Sequence, residues 1–324
     1  MFDANAFGSK MDRMDKGLDK KLERESIRQD VDFILSHEAE SRLHIDDFTE
    51  TFPQQTTEND TIITESLRKR FEENLDHLPA VDAARIREGK KRADALEVII
   101  AEQGELNNWA GENAFFIRST EFDDYVNGVD IILEFDVSDN HEKKAKRIAL
   151  AVDASMNTDI VTVSDKVKRN IKKITGDEKP AQVKYFASSV DDFKGSLNTI
   201  IPVVVGLDGD HTNELIKVCA INKRLQQKKD KSEVLKEALK FNLQALKNHP
   251  AQIVFYKEIQ SQLAFYKNLL THQDVKNKEI YIREIESMIE IFDGLKEEKK
   301  DMPITPYDHD AILDIIEDIT MPPR

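Results

Sequence analysis

The feature that most limits what this chain can fold into is a change of period in its middle. Apolar residues recur at helical spacing from Ile63 to Leu75 and from Val81 to Gln103, with Leu96, Ile99 and Ile100 on the second run and Gly104 placed to end it. Between Phe115 and Leu207 the pattern gives way to short β-rich runs: AFFIRSTEFDDY, VDIILEFDV, KRIALAVDAS, QVKYFAS and TIIPVVVGL. A basic amphipathic helix, Ser164 to Thr175, separates the third run from the fourth. Helical spacing returns over Asn213–Gln227, Ser232–Asn248, Pro250–Leu270 and Val275–Lys299, lengths suited to packed antiparallel helices. The expected fold class is α/β of the α+β kind: a central mixed sheet of about five strands in αβββαβ order, flanked by helical N- and C-terminal segments.

The chain divides on this basis into an acidic, partly helical segment with a linker over 1–60, an α/β core over 61–220, and a helical region over 221–324. FPQQTTENDT, from Phe52 to Thr61, collects proline, amides and hydroxyls and reads as the linker or an exposed loop. The stretch YDHDAILDIIEDI reads as a short acidic helix that docks on something. At 324 residues with 40% hydrophobic content the chain can bury a real core, which argues against global disorder.

Charge narrows the partners. The formal net charge of -15 makes the average surface repel nucleic acid and anionic membrane, so a nucleic-acid site must be a local basic patch. From Ser164 to Lys184 there is such a patch, with seven Lys or Arg against three Asp or Glu. Lys166, Arg169 and Lys173 fall on one helical face there, while Val167, Ile171 and Ile174 face inward; a solvated face paired with acidic neighbours is the alternative. No apolar run approaches the roughly 20 residues that span a bilayer, and the N-terminus lacks a signal-like apolar stretch. The expectation is a cytoplasmic protein with no membrane partner.

Other chemistries find little support. The single cysteine, Cys219, lies in the apolar run LIKVCAI and reads as a buried structural thiol. His249 and His211 have no partner at ligand spacing, and His211 fits the turn DGDH before a helix. No GxGxxG, Walker lysine loop or GxSxG occurs among 11 glycines. Phe255, Tyr256, Phe265 and Tyr266 read as core or interface rather than a stacking platform.

The carboxylates of the middle runs are more informative. Asn127-Gly128 between two runs is a type I′ hairpin signal, which would set Tyr125 opposite Asp130. The polar connection SDNHEKKA predicts a second antiparallel pair centred near His141 and Glu142, which sets Asp130 opposite Asp153. Alternation then groups Asp130, Ile132 and Glu134 on one face, with Ala149, Ala151, Asp153 and Ser155 grouped in the neighbouring strand. Like charges facing each other on a sheet need a cation, a shared proton or basic neighbours, and a divalent ion held by oxygen suits them. Glu121, Asp123 and Asp124 approach the same end, although acids in so acidic a chain usually form a solvated edge.

Asp130 in NGVD and Asp153 in AVDAS, set in helix, three-stranded meander, helix and strand, resemble the PD-(D/E)XK or restriction-endonuclease-like nucleases. That resemblance implies a Mg²⁺-dependent (or Mn²⁺-dependent) nuclease in which Asp130 and Asp153 bind metal. It further implies a glutamate from the preceding helix, Glu97 or Glu102. The family's lysine position holds Ser155 here, which cannot supply the cation that supports the attacking water. Lys166 or Lys168 on the following helix could take that role, with Lys168, Arg169, Lys172 and Lys173 meeting phosphates of DNA or RNA. The alternative is a catalytically silent form of that fold used for interaction or assembly, with homo-oligomers built through the C-terminal helices.

Overall fold

The structure, a computed structural model, describes residues 21–37, 42–138, 147–156, 160–229, 232–273, 275, 278–302 and 309–321. The loop centre expected near His141 and Glu142 lies outside these residues. Helix α1 covers 21–36 and a 3-10 turn follows at Ile45–Phe48. Then come α2 (Gln54–Asp76), α3 (Ala80–Leu106), β1 (Ala114–Arg118), β2 (Ile131–Asp136), β3 (Arg147–Ser155) and α4 (Ile160–Thr175). They are followed by β4 (Val183–Ala187), β5 (Lys194–Leu197) and β6 (Ile201–Gly206). The chain continues through α5 (Gly209–Gln227), α6 (Glu233–Lys247), α7 (Ala251–His272), α8 (Lys278–Glu298) and α9 (Ala311–Thr320). No helix among the described residues is long and apolar enough to cross a membrane.

The mixed α/β architecture stands, but the single five-stranded sheet does not. The main sheet has four strands in the order β1-β2-β3-β6, antiparallel except for the parallel β3/β6 pair. The run QVKYFAS leaves it to pair with β5, a strand the sequence pattern did not announce, in a separate two-stranded sheet. FPQQTTENDT is likewise no linker: Pro53 stands just before the first turn of α2, where its missing N–H costs nothing, and the amides and hydroxyls continue as helix.

Strand alternation builds two cores. Ile131, Leu133, Phe135, Leu150 and Val152 join Leu96, Ile99 and Ile100 of α3 and Val254, Phe255 and Ile259 of α7 in one apolar cluster. Ile132 and Ala151 face the other way, onto Val183 and Phe186 of β4. Each fully buried Ile, Leu or Val contributes roughly 1.5–3 kcal/mol. Helix α9 docks on α4, α7 and β6 through Ile312, Ile315 and Ile316, packed with Val163, Val167 and Val204.

Two close fits fix the end of the sheet. At Gly206 a Cβ would meet the Ser155 carbonyl oxygen at 2.1 Å, so only glycine allows β6 to lie this close to β3. The outer edge of β6 is sealed by side chains of α7. The Gln262 amide donates to Val204 O at 2.7 Å and accepts from Val204 N at 2.9 Å, and Glu258 accepts from Gly206 N at 2.9 Å. These groups take the place of a further strand and close an edge that would otherwise invite pairing.

Candidate metal centre

The expected Asn-Gly hairpin is instead the end of a helical turn. After β1 the chain makes a π-helical turn at Asp123–Asn127, and Gly128 ends it with φ 67° and ψ 47°, left-handed values that favour glycine. Thr120 accepts from Asp123 N at 3.2 Å and donates to the Asp123 carboxylate at 3.0 Å, so TEFD starts this turn as a capping pair. Tyr125 therefore does not face Asp130; it lies beneath Lys90, 5.7 Å from ring centre to Nζ. The residue across from Asp130 on the β1 side is Ser119, whose N–H donates to Asp130 O at 3.0 Å.

On the other side the register places Ile131 opposite Val152, and its continuation sets Asp130 opposite Asp153. Asp130 N donates to Val152 O at 2.9 Å, and Asp130 Oδ2 accepts from Ala154 N at 2.7 Å. Helix α3 brings the buried Glu97 to the same place, and the π-turn brings Asp124. Ligand oxygens of Glu97, Asp124 and Asp130 lie within 4.8 Å of one another. Glu102, the alternative helical acid, sits elsewhere: it pairs with Lys223 of α5 at 2.8 Å. Five residues along a helix turn a side chain to a different face.

Burial, reinforced by Asp124 and Asp94, pushes the Glu97 carboxyl up to about 8. The Asp130 carboxyl is raised well above the ordinary carboxylate range, first by burial and then by Glu97 and Asp153. Two carboxyls raised by burial and by each other, beside the Asp124 carboxylate, mark a place that favours extra positive charge. Basic groups meet part of this need: Arg42 and Arg118 act against the rise at Glu97, and two cations of α4 stand at the border. Lys166 Nζ donates to Asp153 Oδ1 at 2.6 Å, and Arg169 Nη2 lies 3.5 Å from Asp153 Oδ2. Burial works against the Lys166 charge, yet the Asp153 carboxylate outweighs it and keeps the ammonium more basic than usual. Arg42 bonds Asp124 Oδ2 at 2.8 Å and Ser119 O at 2.9 Å.

The basic helix divides by face. Lys166, Arg169 and Lys173 border the acids, with Lys173 Nζ donating to Asn127 O at 3.2 Å. Lys168 is exposed on another face, and Lys172 pairs with Glu178 at 3.7 Å. Ser155 ends β3 buried beside Gly206 and carries no cation.

The three acids of TEFDD part company. Glu121 pairs with Arg68 of α2. Asp123, fully buried, accepts from Lys184 N, Tyr185 N, Asn127 Nδ2 and Thr120 Oγ1 at 2.6–3.0 Å and anchors β4. Only Asp124 enters the centre. The capping pair and the glycine stop were the sequence signal for the helical turn that puts it there. Arg42 carried no signal, because 82 residues separate it from Asp124.

A second acid group involves His211, whose partner the spacing could not show. Its Nδ1 lies 2.7 Å from Asp310 and 3.3 Å from Asp208. Asp208 accepts from Asp210 N and His211 N and caps α5, as the turn DGDH implied; Asp310 accepts from Ile312 N and Asp208 N and caps α9. Cys219 is buried, and burial pushes its thiol up, away from reactivity. His249 is also buried, stacked on Trp109 with Nε2 3.2 Å from Glu214. Phe255, Tyr256 and Tyr266 are core, and Phe265 packs against it.

No family model matches this chain, and neither a curated protein nor a solved structure matches it.

Proposed function

We propose that this chain is a divalent-metal-dependent phosphodiesterase of nuclease type, built on a PD-(D/E)XK-like core with the β4/β5 hairpin set before its last strand. The observation that carries this reading is the convergence of Glu97, Asp124 and Asp130 from a helix, a turn and a strand end, next to Asp153 and a lysine. The donors fit Mg²⁺ or Mn²⁺: all are hard carboxylate oxygens, and burial leaves two of them short of positive charge. Glu97, Asp124 and Asp130 would hold the ion, with Asp153 at its border. Bound there, it would lower the pKa of water and offset charge on phosphoryl oxygens.

The remaining work belongs to the chain. Lys166 is held protonated by Asp153, so it acts as a fixed cation and not as a base. Its place beside the sheet end lets it orient water and stabilise charge developing on phosphorus-bound oxygen. Arg169, half exposed on the same helix face, meets the incoming phosphate backbone and could neutralise it locally despite the acidic surface.

Incubating supercoiled DNA and a structured RNA with the full chain and Mn²⁺ should give cleavage that D130N and D153A abolish and that K166Q slows about 10²-fold. Cleavage by D153A at the wild-type rate would overturn the assignment.

One observation favours a second reading, a silent scaffold. Lys166 and Arg169 engage both oxygens of Asp153, and Arg42 engages Asp124, so the cluster is partly neutralised from within the chain. That reading predicts neither cleavage nor metal binding.

A further inference from the structure

Between the last turns of α3 and the last turns of α5, which packs against it, lies a cleft of about 370 Å³. The cleft and the metal centre use different faces of α3: Glu102 lines the one and Glu97 enters the other. Ala101, Leu106 and Phe116 give the cleft an apolar wall. The Phe116 ring lies so close to the backbone of Gly104 that a Cβ there would meet it at 2.5 Å, so glycine is what lets the ring stand in this place.

Asn222 of α5 lines the same cleft and is only 3% exposed, yet its Oδ1 is buried with no hydrogen-bond partner among the described residues. Burying an amide oxygen without a donor costs stability, so this side chain calls for a partner from outside the chain. Its terminal torsion is broad and roughly two-fold, which lets either end of the amide turn to the cleft. The neighbouring charges need nothing further. Lys223 Nζ lies 2.8 Å from the Glu102 carboxylate and donates to His37 O at 2.9 Å, and the two side chains are 14% and 10% exposed. They bring an ion pair to the cleft and no net charge.

We propose that this cleft binds a neutral nucleobase that sets an amino group beside a ring nitrogen, as adenine does. The Asn222 amide matches that edge: Oδ1 accepts from the amino group while Nδ2 donates to the ring nitrogen. The balanced Glu102–Lys223 pair selects a neutral ligand over an ion, and the apolar wall of Ala101, Leu106 and Phe116 receives the flat body of the ring. The volume lies within the range of small-molecule sites, roughly 300–1,000 Å³. Because the cleft takes nothing from Glu97, Asp124 or Asp130, the site is independent of the metal centre.

Calorimetric titration of adenosine into the metal-free full chain should show saturable binding. Purine riboside, which is adenosine without the amino group, should bind at least about tenfold more weakly, and N222L should weaken adenosine by at least as much. N222L should melt at the wild-type temperature or above it, because leucine keeps the length of asparagine and removes an unpartnered amide. D130N, which disables the proposed metal centre, should bind adenosine as the wild type does. No saturable binding to the wild type would overturn the proposal and leave the cleft to water. Binding retained in N222L, binding lost in D130N, or purine riboside as tight as adenosine would overturn it as well. A lowered melting temperature in N222L would show that Asn222 already has its partner within the protein, against the proposal.

Discussion

The two groups of possible metal ligands among the described residues, Asp208 with His211 and Asp310 and Glu97 with Asp124 and Asp130, differ in what surrounds them. At the start of α9, Asp310 is fully buried, and both its oxygens are engaged, by Ile312 N on one side and by Asp208 N and His211 on the other. Asp208 is likewise taken up by the first amides of α5. That group is a clamp in which two helix caps share one imidazole. At the sheet end, Asp130 has one backbone donor on its carboxylate, and Glu97 stands buried among other acids. A cluster of carboxylates therefore becomes a candidate site where backbone donors run short, and not simply where acids gather. Asp123 shows the same rule from the structural side, since four donors satisfy it while its neighbour Asp124 enters the centre.

The isosteric change of Asp to Asn tests this difference most strongly. D310N replaces an accepting oxygen by an amide that faces donors, and should cost roughly 2 kcal/mol in urea unfolding, read as a lower midpoint with an unchanged slope. D130N, measured without metal, should cost far less, because Asn imitates the protonated acid that burial already favours. Equal losses at the two positions would erase the distinction between clamp and site.

The dependence of stability on pH gives a smaller effect. Glu97 titrates at about 8 when folded, whereas an unfolded glutamate titrates near 4.5. Between these values the folded chain holds a proton that the unfolded chain has released. Its contribution is therefore complete below 4.5 and is lost as pH rises through about 8, at no more than about 1.4 kcal/mol per pH unit. In metal-free buffer, E97Q should flatten this decline; an unchanged slope in E97Q would show that Glu97 is not the group responsible.

Much of this geometry could be read from the residues. The opposition of Asp130 and Asp153 follows from counting outward from the centre of a polar loop, because an antiparallel register is fixed once its turn is placed. The faces of α4 and of β2 and β3 follow from helical and strand periods, and the C-terminal helices appear at the expected places. The turn before β2 departs from the expected hairpin because Asn-Gly serves equally as a hairpin corner and as a helix stop; local sequence does not choose between them. The four-stranded sheet was missed for a different reason. QVKYFAS has the composition of a sheet strand, but its pairing with β5 and its anchoring by Asp123 are decided by residues far along the chain. Arg42 and Asp310 escaped for the same cause, being distant in sequence from the groups they touch. Between Glu97 and Glu102, tertiary packing alone could decide, through the pairing of Glu102 with Lys223.

The central claim is that the sheet end is a divalent-cation site, and calorimetric titration of Mn²⁺ into the metal-free full chain tests it directly. The account predicts saturable binding of an ion to the wild type, with proton release that grows as pH falls below about 8, and loss of binding in both D130N and E97Q. Absence of binding in the wild type, or binding that both variants retain, would contradict it.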